Sequence, residues 1–277
     1  MSTRLDPLAD VSLRLAENRK GKMLFEPGDG VLLIGHGTRD QQGTRQFFEL
    51  GDRLASCLTQ VPVQSCLLEL QSPTIAEGWE VLRAKSVKRV LAAPLLLFSA
   101  GHAKSDIPDA LNGCMTESSL MTWREARPLS RAPELLRLVI KRLDESMLQT
   151  NASSDATAII MVGRGSFDPC AQADMKLLTH WVSGQRKAAK ISTAFYAMAH
   201  PRLPVVLRRI AADKSIESII VQPHLLFEGA LYQSILKQVD EVASEFPTKQ
   251  FVVSGYLGPE PEVAASIMRR LNLLKTP

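Results

Sequence analysis

Short apolar runs alternate along the whole chain with longer segments whose apolar residues recur at helical spacing. The apolar runs, rich in β-branched residues, cover 31–34, 61–70, 90–97, 159–162, 191–198, 216–221 and 251–256. The helical segments cover 43–58, 74–84, 133–147, 169–182, 203–212, 231–243 and 262–274, and Pro133, Pro169 and Pro201 stand where helices should begin. Continuous apolar runs between helices are typical of parallel strands buried on both faces. The pattern therefore predicts an α/β protein.

The pattern also occurs twice. The segment LIGHGTRD at 33–40 returns as MVGRGSFD at 161–168, a shift of 128 positions (164 minus 36). Pro73 and Pro201, and likewise Pro133 and Pro261, share that shift, and PLLLF at 94–98 returns as PHLLF at 223–227. We therefore expect two similar parallel-sheet domains related by internal duplication. Their expected bounds are an N-terminal extension at 1–30, a first domain at 31–148, a polar linker at 149–156 and a second domain at 157–277.

Composition limits the function classes. With 277 residues, 45% hydrophobic and 22% charged, the chain is long enough for two domains that each bury a core. A formal net charge of +4, dispersed along the chain, indicates no nucleic-acid partner but suits an anionic small molecule. No run approaches the roughly 18 apolar residues of a membrane span. The first 30 residues lack the apolar core of a signal peptide.

The four cysteines indicate neither disulfide bonds nor a cysteine-based metal site. Cys57, Cys66, Cys114 and Cys170 are far apart, which argues against a disulfide framework, a zinc ribbon or an iron-sulfur cluster. We expect reduced thiols, a cytoplasmic protein, and either a monomer or a homodimer.

Three residues of the first copy form a candidate metal site. His36 follows the first predicted strand, Glu69 lies at the end of the second and His102 lies just beyond the third, with 33 positions between neighbours (69 minus 36, 102 minus 69). Because parallel strands end at one edge of a sheet, the three side chains can converge there. Two imidazoles and a carboxylate suit a divalent first-row metal, and three protein ligands leave positions open for chemistry. The second copy has Arg164, Ala197 and Leu231 instead, so one metal site is expected.

Each candidate has a structural alternative. A lone histidine in a Gly-His-Gly turn can simply bond its own loop. Glu69 is harder to explain in that way, because a charged residue in an apolar strand is rarely buried without a partner. Asp40 and Asp168 occur in both copies and are expected to cap helices. His200 and His224 are secondary candidates for the metal or the substrate.

These motifs together resemble a known family. GHGTRD at 35–40, LEL at 68–70 with Pro73, and PLLLFSAGH at 94–102 with DIP at 106–108 are similar to those of class II sirohydrochlorin chelatases of the CbiX and SirB type, in their long two-repeat form. The resemblance covers about 31–274. It implies two flavodoxin-like halves with an active-site cleft between them, and insertion of Co²⁺ or Fe²⁺ into sirohydrochlorin in cobalamin or siroheme biosynthesis. His36 and His102 would bind the metal, with Glu69 as third ligand.

The reaction that the resemblance implies points to further candidate residues, which would accept protons or contact the substrate. Metallation presents a partly desolvated metal to ring nitrogens while two pyrrolic protons leave, and Glu69 or a metal-free histidine can accept a proton. Sirohydrochlorin carries carboxylates around its rim, so cations and backbone N–H groups near strand ends are candidate substrate contacts. These candidates are Arg39, Ser99, Ala100, Gly101, Lys104 and Arg164. Arg202 is a further cation near a predicted strand end. A guanidinium such as that of Arg164 can grip a carboxylate with two hydrogen bonds, although a surface ion pair is the plainer alternative.

Two other functions stay open. A metal or tetrapyrrole carrier would use the same residues without turnover. An α/β enzyme with a nucleotide cofactor is disfavoured, because neither G-x-G-x-x-G nor a P-loop follows a predicted strand, so no organic cofactor is expected. Ligand identity does not decide between Co²⁺, Fe²⁺ and Ni²⁺ as the metal substrate.

Overall fold

The computed structural model describes residues 25–98, 105–115 and 120–274. The chain divides into two compact units, one within residues 1–134 and 259–277 (the first unit) and one of residues 135–258 (the second unit). Each unit contains a four-stranded parallel sheet flanked by helices. The predicted α/β class, with two parallel sheets related by duplication, is therefore confirmed.

The first unit has the sheet order β2-β1-β3-β4, which matches the first four positions of a flavodoxin-like sheet. Ile34 of β1 pairs with Cys66 of β2 and with Pro94 of β3, so the three strands end at one edge. The elements are β1 (Asp29–Gly35), α1 (Gln41–Cys57), β2 (Val63–Leu67), α2 (Ile75–Ala84), β3 (Arg89–Pro94), α3 (Ile107–Cys114) and β4 (Thr122–Glu125).

The second unit repeats this order as β6-β5-β7-β8. Val162 of β5 pairs with Ala194 of β6 and with Pro223 of β7, at the positions that correspond to the first sheet. The elements that follow β4 are α4 (Pro133–Met147), a 3₁₀ turn (Ser154–Ala156), β5 (Thr157–Gly163), α5 (Pro169–Gln185), β6 (Lys190–Phe195), α6 (Leu203–Ala211), β7 (Ser218–Pro223), α7 (Ala230–Glu245), β8 (Gln250–Val253) and α8 (Pro261–Leu273).

Each core is built on its central strand. Every residue of β1 and of β5 is buried, as expected for a strand with helices on both faces. In the first unit Leu32 and Ile34 pack with Trp79 of α2 and Leu111 of α3. The equivalent cluster in the second unit joins β5 to α6 and α7.

No helix in the described part of the chain combines the length and apolar character that a membrane crossing needs.

The compact units differ from the expected domains by one helix each. α8, the last helix of the second sequence repeat, packs on α1 and β3 of the first unit. α4, the last helix of the first repeat, belongs almost entirely to the second unit, where Ser146 Oγ lies 2.6 Å from Ser254 Oγ. An amphipathic pattern predicts a helix but does not say which sheet the helix covers.

The polar segment at 149–156, which we expected to link two domains, also lies within the second unit. The backbone N–H of Asn151 donates to Gln250 Oε1 at 3.0 Å, and Gln250 Nε2 donates to Gln149 O at 2.8 Å. The segment connects α4 to β5, and these bonds join it to the start of β8.

The seven predicted strands and seven predicted helices are all present. The pattern missed β4, a four-residue edge strand, and α3, an eight-residue helix, because both are too short for a clear period. Pro201 does not begin a helix: α6 starts at Leu203, with Pro204 in its first turn. The two predicted caps are confirmed, since Asp40 Oδ1 accepts from Gly43 N at 2.7 Å and Asp168 Oδ1 from Cys170 N at 2.8 Å.

Both units make the same turn after their first strand. Gly37 has φ of 97° and Gly165 has φ of 91°, a region that favours glycine. A Cβ on Gly37 would lie 2.1 Å from Glu69 O, and a Cβ on Gly165 would lie 1.8 Å from Ala197 O. The turn therefore brings two backbone segments closer than any residue with a side chain allows.

We predict that Gly165→Ala destabilises the protein by about 2–4 kcal/mol, because the methyl group meets backbone in a left-handed turn. The matched control is Gly184→Ala near the end of α5, where a Cβ has no neighbour within 4 Å. That change should be neutral or stabilise by up to about 1 kcal/mol. Thermal and urea unfolding midpoints measure both, and equal midpoints for the two variants would contradict the steric argument.

Candidate metal centre

His36 and Glu69 meet at the carboxyl edge of the first sheet. His36 directly follows β1, and Glu69 lies two residues beyond the end of β2. Backbone bonds continue the pairing past both strands: Leu68 N donates to Gly35 O at 2.8 Å, and Glu69 N donates to His36 O at 3.2 Å. His36 Nδ1 consequently lies 3.2 Å from Glu69 Oε1.

The surroundings of Glu69 differ from the expectation. Glu69 does not lie inside an apolar strand, because β2 ends at Leu67. Its side chain is 47% exposed and that of His36 is 30% exposed. The case for a shared role therefore rests on the short distance between the two side chains, and not on the cost of burying a charge.

The spacing of the pair suits a direct hydrogen bond and also suits two ligands on one ion. Nitrogen and oxygen ligands at 2.0–2.2 Å from a tetrahedral ion are roughly 3.4 Å apart. The 3.2 Å between His36 Nδ1 and Glu69 Oε1 is close to that value. His36 Nδ1 also lies 3.3 Å from Gly37 O. A neutral imidazole and a carboxylate in this arrangement can bind a divalent metal on the solvent side.

The predicted third ligand, His102, lies outside the described residues, as do Ser99, Ala100, Gly101 and Lys104. Within residues 25–98, 105–115 and 120–274, no three His, Cys, Asp or Glu side chains converge on one point. The described part of the site is therefore the His36–Glu69 pair.

A glutamine that the sequence analysis did not single out ties the two loops together. Gln71 Nε2 donates to Thr38 O at 2.6 Å, and Thr44 Oγ1 donates to Gln71 Oε1 at 3.2 Å. Thr38 belongs to the turn that carries His36, and Gln71 to the turn that carries Glu69. The sequence held one sign of this role. The corresponding residue of the second copy is Ala199 (71 plus 128), so the glutamine occurs only in the copy that has the candidate ligands.

The second unit keeps the backbone of this site but not its side chains. Tyr196 N donates to Gly163 O and Ala197 N to Arg164 O, both at 2.9 Å. Arg164 and Ala197 thus stand where His36 and Glu69 stand in the first unit. Leu231, the counterpart of His102, is the second residue of α7. These three positions hold no metal-binding side chain.

The secondary histidine candidates differ from each other. His224 is buried in the second unit, where its backbone N–H donates to Val162 O at 2.8 Å, and burial lowers the pKa of its imidazole to about 4. His200 is exposed. Burial makes His224 part of the packing at the end of β7 and not an open ligand.

The cationic candidates also differ. Arg39 and Arg164 are exposed on the turns after β1 and β5. Neither makes an ion pair with a residue of the described part of the chain. Arg202, beside α6, instead donates from Nη1 to Tyr196 O at 3.2 Å. Arg39 and Arg164 are thus the two described candidates that remain available to an anion.

Comparisons with known proteins agree with the duplicated fold. The CbiX family model matches residues 30–146 and again residues 158–273. A sirohydrochlorin ferrochelatase of Priestia megaterium is 29% identical over 247 residues, covering 89% of this chain and 90% of that protein. A sirohydrochlorin cobaltochelatase of the same organism is 28% identical over 243 residues, covering 87% and 78%. The solved structure of SirB from Bacillus subtilis with Fe³⁺ superposes with a TM-score of 0.78 at 23% identity, covering 87% of this chain and 93% of that one.

We predict that Gln71→Ala weakens Co²⁺ binding by about tenfold, because supporting bonds to metal-binding loops are typically worth 10–100-fold in affinity. The matched control is Gln172→Ala. Gln172 Nε2 donates to Ser166 O at 2.8 Å in the corresponding turn of the second unit. Co²⁺ titration by absorbance or calorimetry should show a loss in the first variant only. Equal affinities in both variants would leave Gln71 without a role at the metal.

Proposed function

The chain belongs to the CbiX family, and on that premise we propose that it is a sirohydrochlorin chelatase, a lyase-class enzyme that inserts Co²⁺ or Fe²⁺ into sirohydrochlorin. The observation that carries the proposal is the 3.2 Å contact between His36 and Glu69 at the carboxyl edge of the sheet. The names of the relatives point to the same substrate and to both metals.

In this proposal His36 and Glu69 hold the metal substrate before transfer, and His102 is the third ligand. The spacing of the three residues along the chain and their place in the family motif support this role for His102. Three protein ligands leave positions at which ring nitrogens can replace water. Partial exposure of the pair suits a metal that must leave, because a fully enclosed ion would have no route to the ring.

The reaction also releases two pyrrolic protons. Once the metal has moved onto the ring, Glu69 and His36 are free bases at the place where these protons appear. Either group can take up a proton and pass it to solvent, since both side chains are partly exposed. The same residues thus serve first as ligands and then as proton acceptors.

The substrate is an anion, and several groups near the strand ends are proposed to hold it. Arg39 and Arg164 are exposed guanidiniums on corresponding turns of the two units. Lys104 and the backbone of Ser99, Ala100 and Gly101 complete the proposed set. Fork-shaped guanidiniums suit carboxylates because they donate two parallel hydrogen bonds.

We propose that the chain acts in the cytoplasm as a monomer or homodimer, on a small molecule and without nucleic acid or membrane. The small dispersed charge of +4 supports this. No organic cofactor is required, because metal and tetrapyrrole are both substrates. Ni²⁺ stays a third possible metal, since its affinity for nitrogen ligands exceeds that of Co²⁺.

We predict that His36→Ala lowers the initial rate of Co²⁺ insertion by about two orders of magnitude, and that Glu69→Gln lowers it substantially with little change in fold. The control is His180→Ala, which removes an exposed histidine from α5 and should keep wild-type activity. Absorbance of sirohydrochlorin follows the reaction. Product in excess of protein separates an enzyme from a carrier, and near wild-type rates in His36→Ala would remove the proposed metal site.

We further predict that Arg164→Ala raises KM for sirohydrochlorin about tenfold, which corresponds to roughly 1.4 kcal/mol for a lost charge-assisted hydrogen bond. Co²⁺ affinity should stay unchanged, because Arg164 stands at a position without metal ligands. Arg164→Lys should recover only part of the loss, since an ammonium cannot donate in fork geometry. A loss of Co²⁺ binding as severe as in His36→Ala would refute this division of roles.

A further inference from the structure

The exchanged helices place an arginine at the same point of each unit. In the second unit Arg142 of α4 donates from Nε to Tyr256 O at 3.0 Å. In the first unit Arg270 of α8, at the corresponding position (142 plus 128), donates from Nη2 to Ser130 O. Both arginines hold the segment that follows the last strand of the sheet. This shared contact is structural.

The charge around the two arginines is not shared. In the second unit Glu145 neutralises Arg142, with Nη1 and Oε2 2.9 Å apart. The corresponding residue beside Arg270 is Leu273 (145 plus 128), which brings no charge. The first unit therefore lacks this carboxylate.

The first unit also adds a cation at this point. Gly255 of the second unit corresponds to Arg127 of the first (255 minus 128). A Cβ on Gly255 would lie 3.8 Å from Arg142 Nε. By the same geometry the side chain of Arg127 begins next to Arg270.

The result is a surplus of positive charge. Burial lowers the pKa of Arg270, and the charges of Arg127 and Arg269 lower it further, with partial compensation from Glu134. Glu134 is itself engaged by Arg269 Nε, at 2.9 and 3.0 Å from its two oxygens. Arg270 Nε is buried and donates to no acceptor in the described part of the chain. Arg127 is exposed and, within those same residues, has no ion-pair partner.

This surplus lies at the edge of the sheet that carries the candidate metal centre. Ala126 N donates to Ala92 O and Leu129 N to Leu96 O, both at 2.8 Å. The segment that contains Arg127 therefore runs past the end of β3, at Pro94, toward the carboxyl edge. The second unit, which lacks metal ligands, shows no such excess at its described counterpart, because Glu145 balances Arg142 there.

We propose that Arg127 and Arg270 form an anion-binding subsite on the first unit, which takes one carboxylate from the rim of the tetrapyrrole substrate. The assignment rests on the proposed function for the identity of the anion. Arg127 supplies an exposed guanidinium that can contact the anion, and Arg270 supplies a second, partly buried positive charge beside it. A carboxylate there would accept from Arg127 and would offset the repulsion between the two guanidiniums.

The test is the affinity for metal-free sirohydrochlorin, measured by fluorescence titration at low and at high salt. Arg127→Gln removes the exposed charge without touching the bond from Arg270 to Ser130. The matched control is Arg83→Gln, which removes an arginine from the last turn of α2, at the opposite edge of the same sheet. A methyl ester of sirohydrochlorin serves as an uncharged probe.

We expect Arg127→Gln to raise Kd about tenfold at low salt, with a smaller effect at high salt. Arg127→Lys should lose less, Arg83→Gln should match the wild type, and the ester should bind wild type and Arg127→Gln equally. The thermal midpoint of Arg127→Gln should not fall and should rise slightly, because one of the cations that repel Arg270 is gone. Co²⁺ affinity should not change. Equal Kd values for Arg127→Gln and Arg83→Gln would overturn the proposal, as would an equal loss with the ester.

The two proposals can fail separately. Binding is measured without metal. If the chain binds sirohydrochlorin through Arg127 but never metallates it, the subsite is supported and the proposed function is wrong. If the chain metallates sirohydrochlorin normally and Arg127→Gln leaves Kd unchanged, the proposed function is supported and the subsite is wrong.

Discussion

The close approach of two backbones after β1 and β2 is the constraint on which the candidate site depends. Gly37, at a φ of 97°, leaves no room for a Cβ against Glu69 O, and the backbone bond from Glu69 to His36 O fixes the facing turn. Two side chains from distant parts of the sequence are therefore brought within 3.2 Å of each other by main-chain geometry. Little further main-chain freedom has to be lost to assemble the pair, because the turns are already fixed.

The second unit shows that this backbone frame is independent of the chemistry it carries. Gly165 makes the same turn against Ala197, and the bonds from Tyr196 and Ala197 repeat those of the first unit. Nevertheless Arg164 and Ala197 cannot form a metal site. The turn can thus form with or without the candidate ligands, because glycine and main-chain bonds maintain it in both units.

Sequence patterns predicted the parts of the molecule that are determined locally. Buried strands, amphipathic helices, the Asp40 and Asp168 caps and the convergence of His36 with Glu69 follow from period, capping chemistry and the rule that parallel strands share an edge. The exchange of α4 and α8 did not follow, because an apolar helix face fits either of two similar sheets. The roles of Gln71 and Arg127 depend on contacts between loops and helices far apart in the sequence. In the sequence these residues are distinguished only by comparing the two copies position by position, where Gln71 corresponds to Ala199 and Arg127 to Gly255.

The same comparison separates stability from function among the charged residues. A buried or half-buried arginine that serves only to hold backbone is most stable with a carboxylate beside it, as Arg142 has in Glu145. Arg270 makes the equivalent backbone contact in a partly buried place with Arg127 and Arg269 nearby, and burial and these charges, only partly offset by Glu134, disfavour its charged form. Repulsion between cations does not stabilise the fold. It does favour anion binding, because a bound anion removes the repulsion that the empty site carries. The unit with the candidate ligands His36 and Glu69 is the one that bears this repulsion, and this coincidence is what supports the proposed link between the arginine pair and the candidate metal centre.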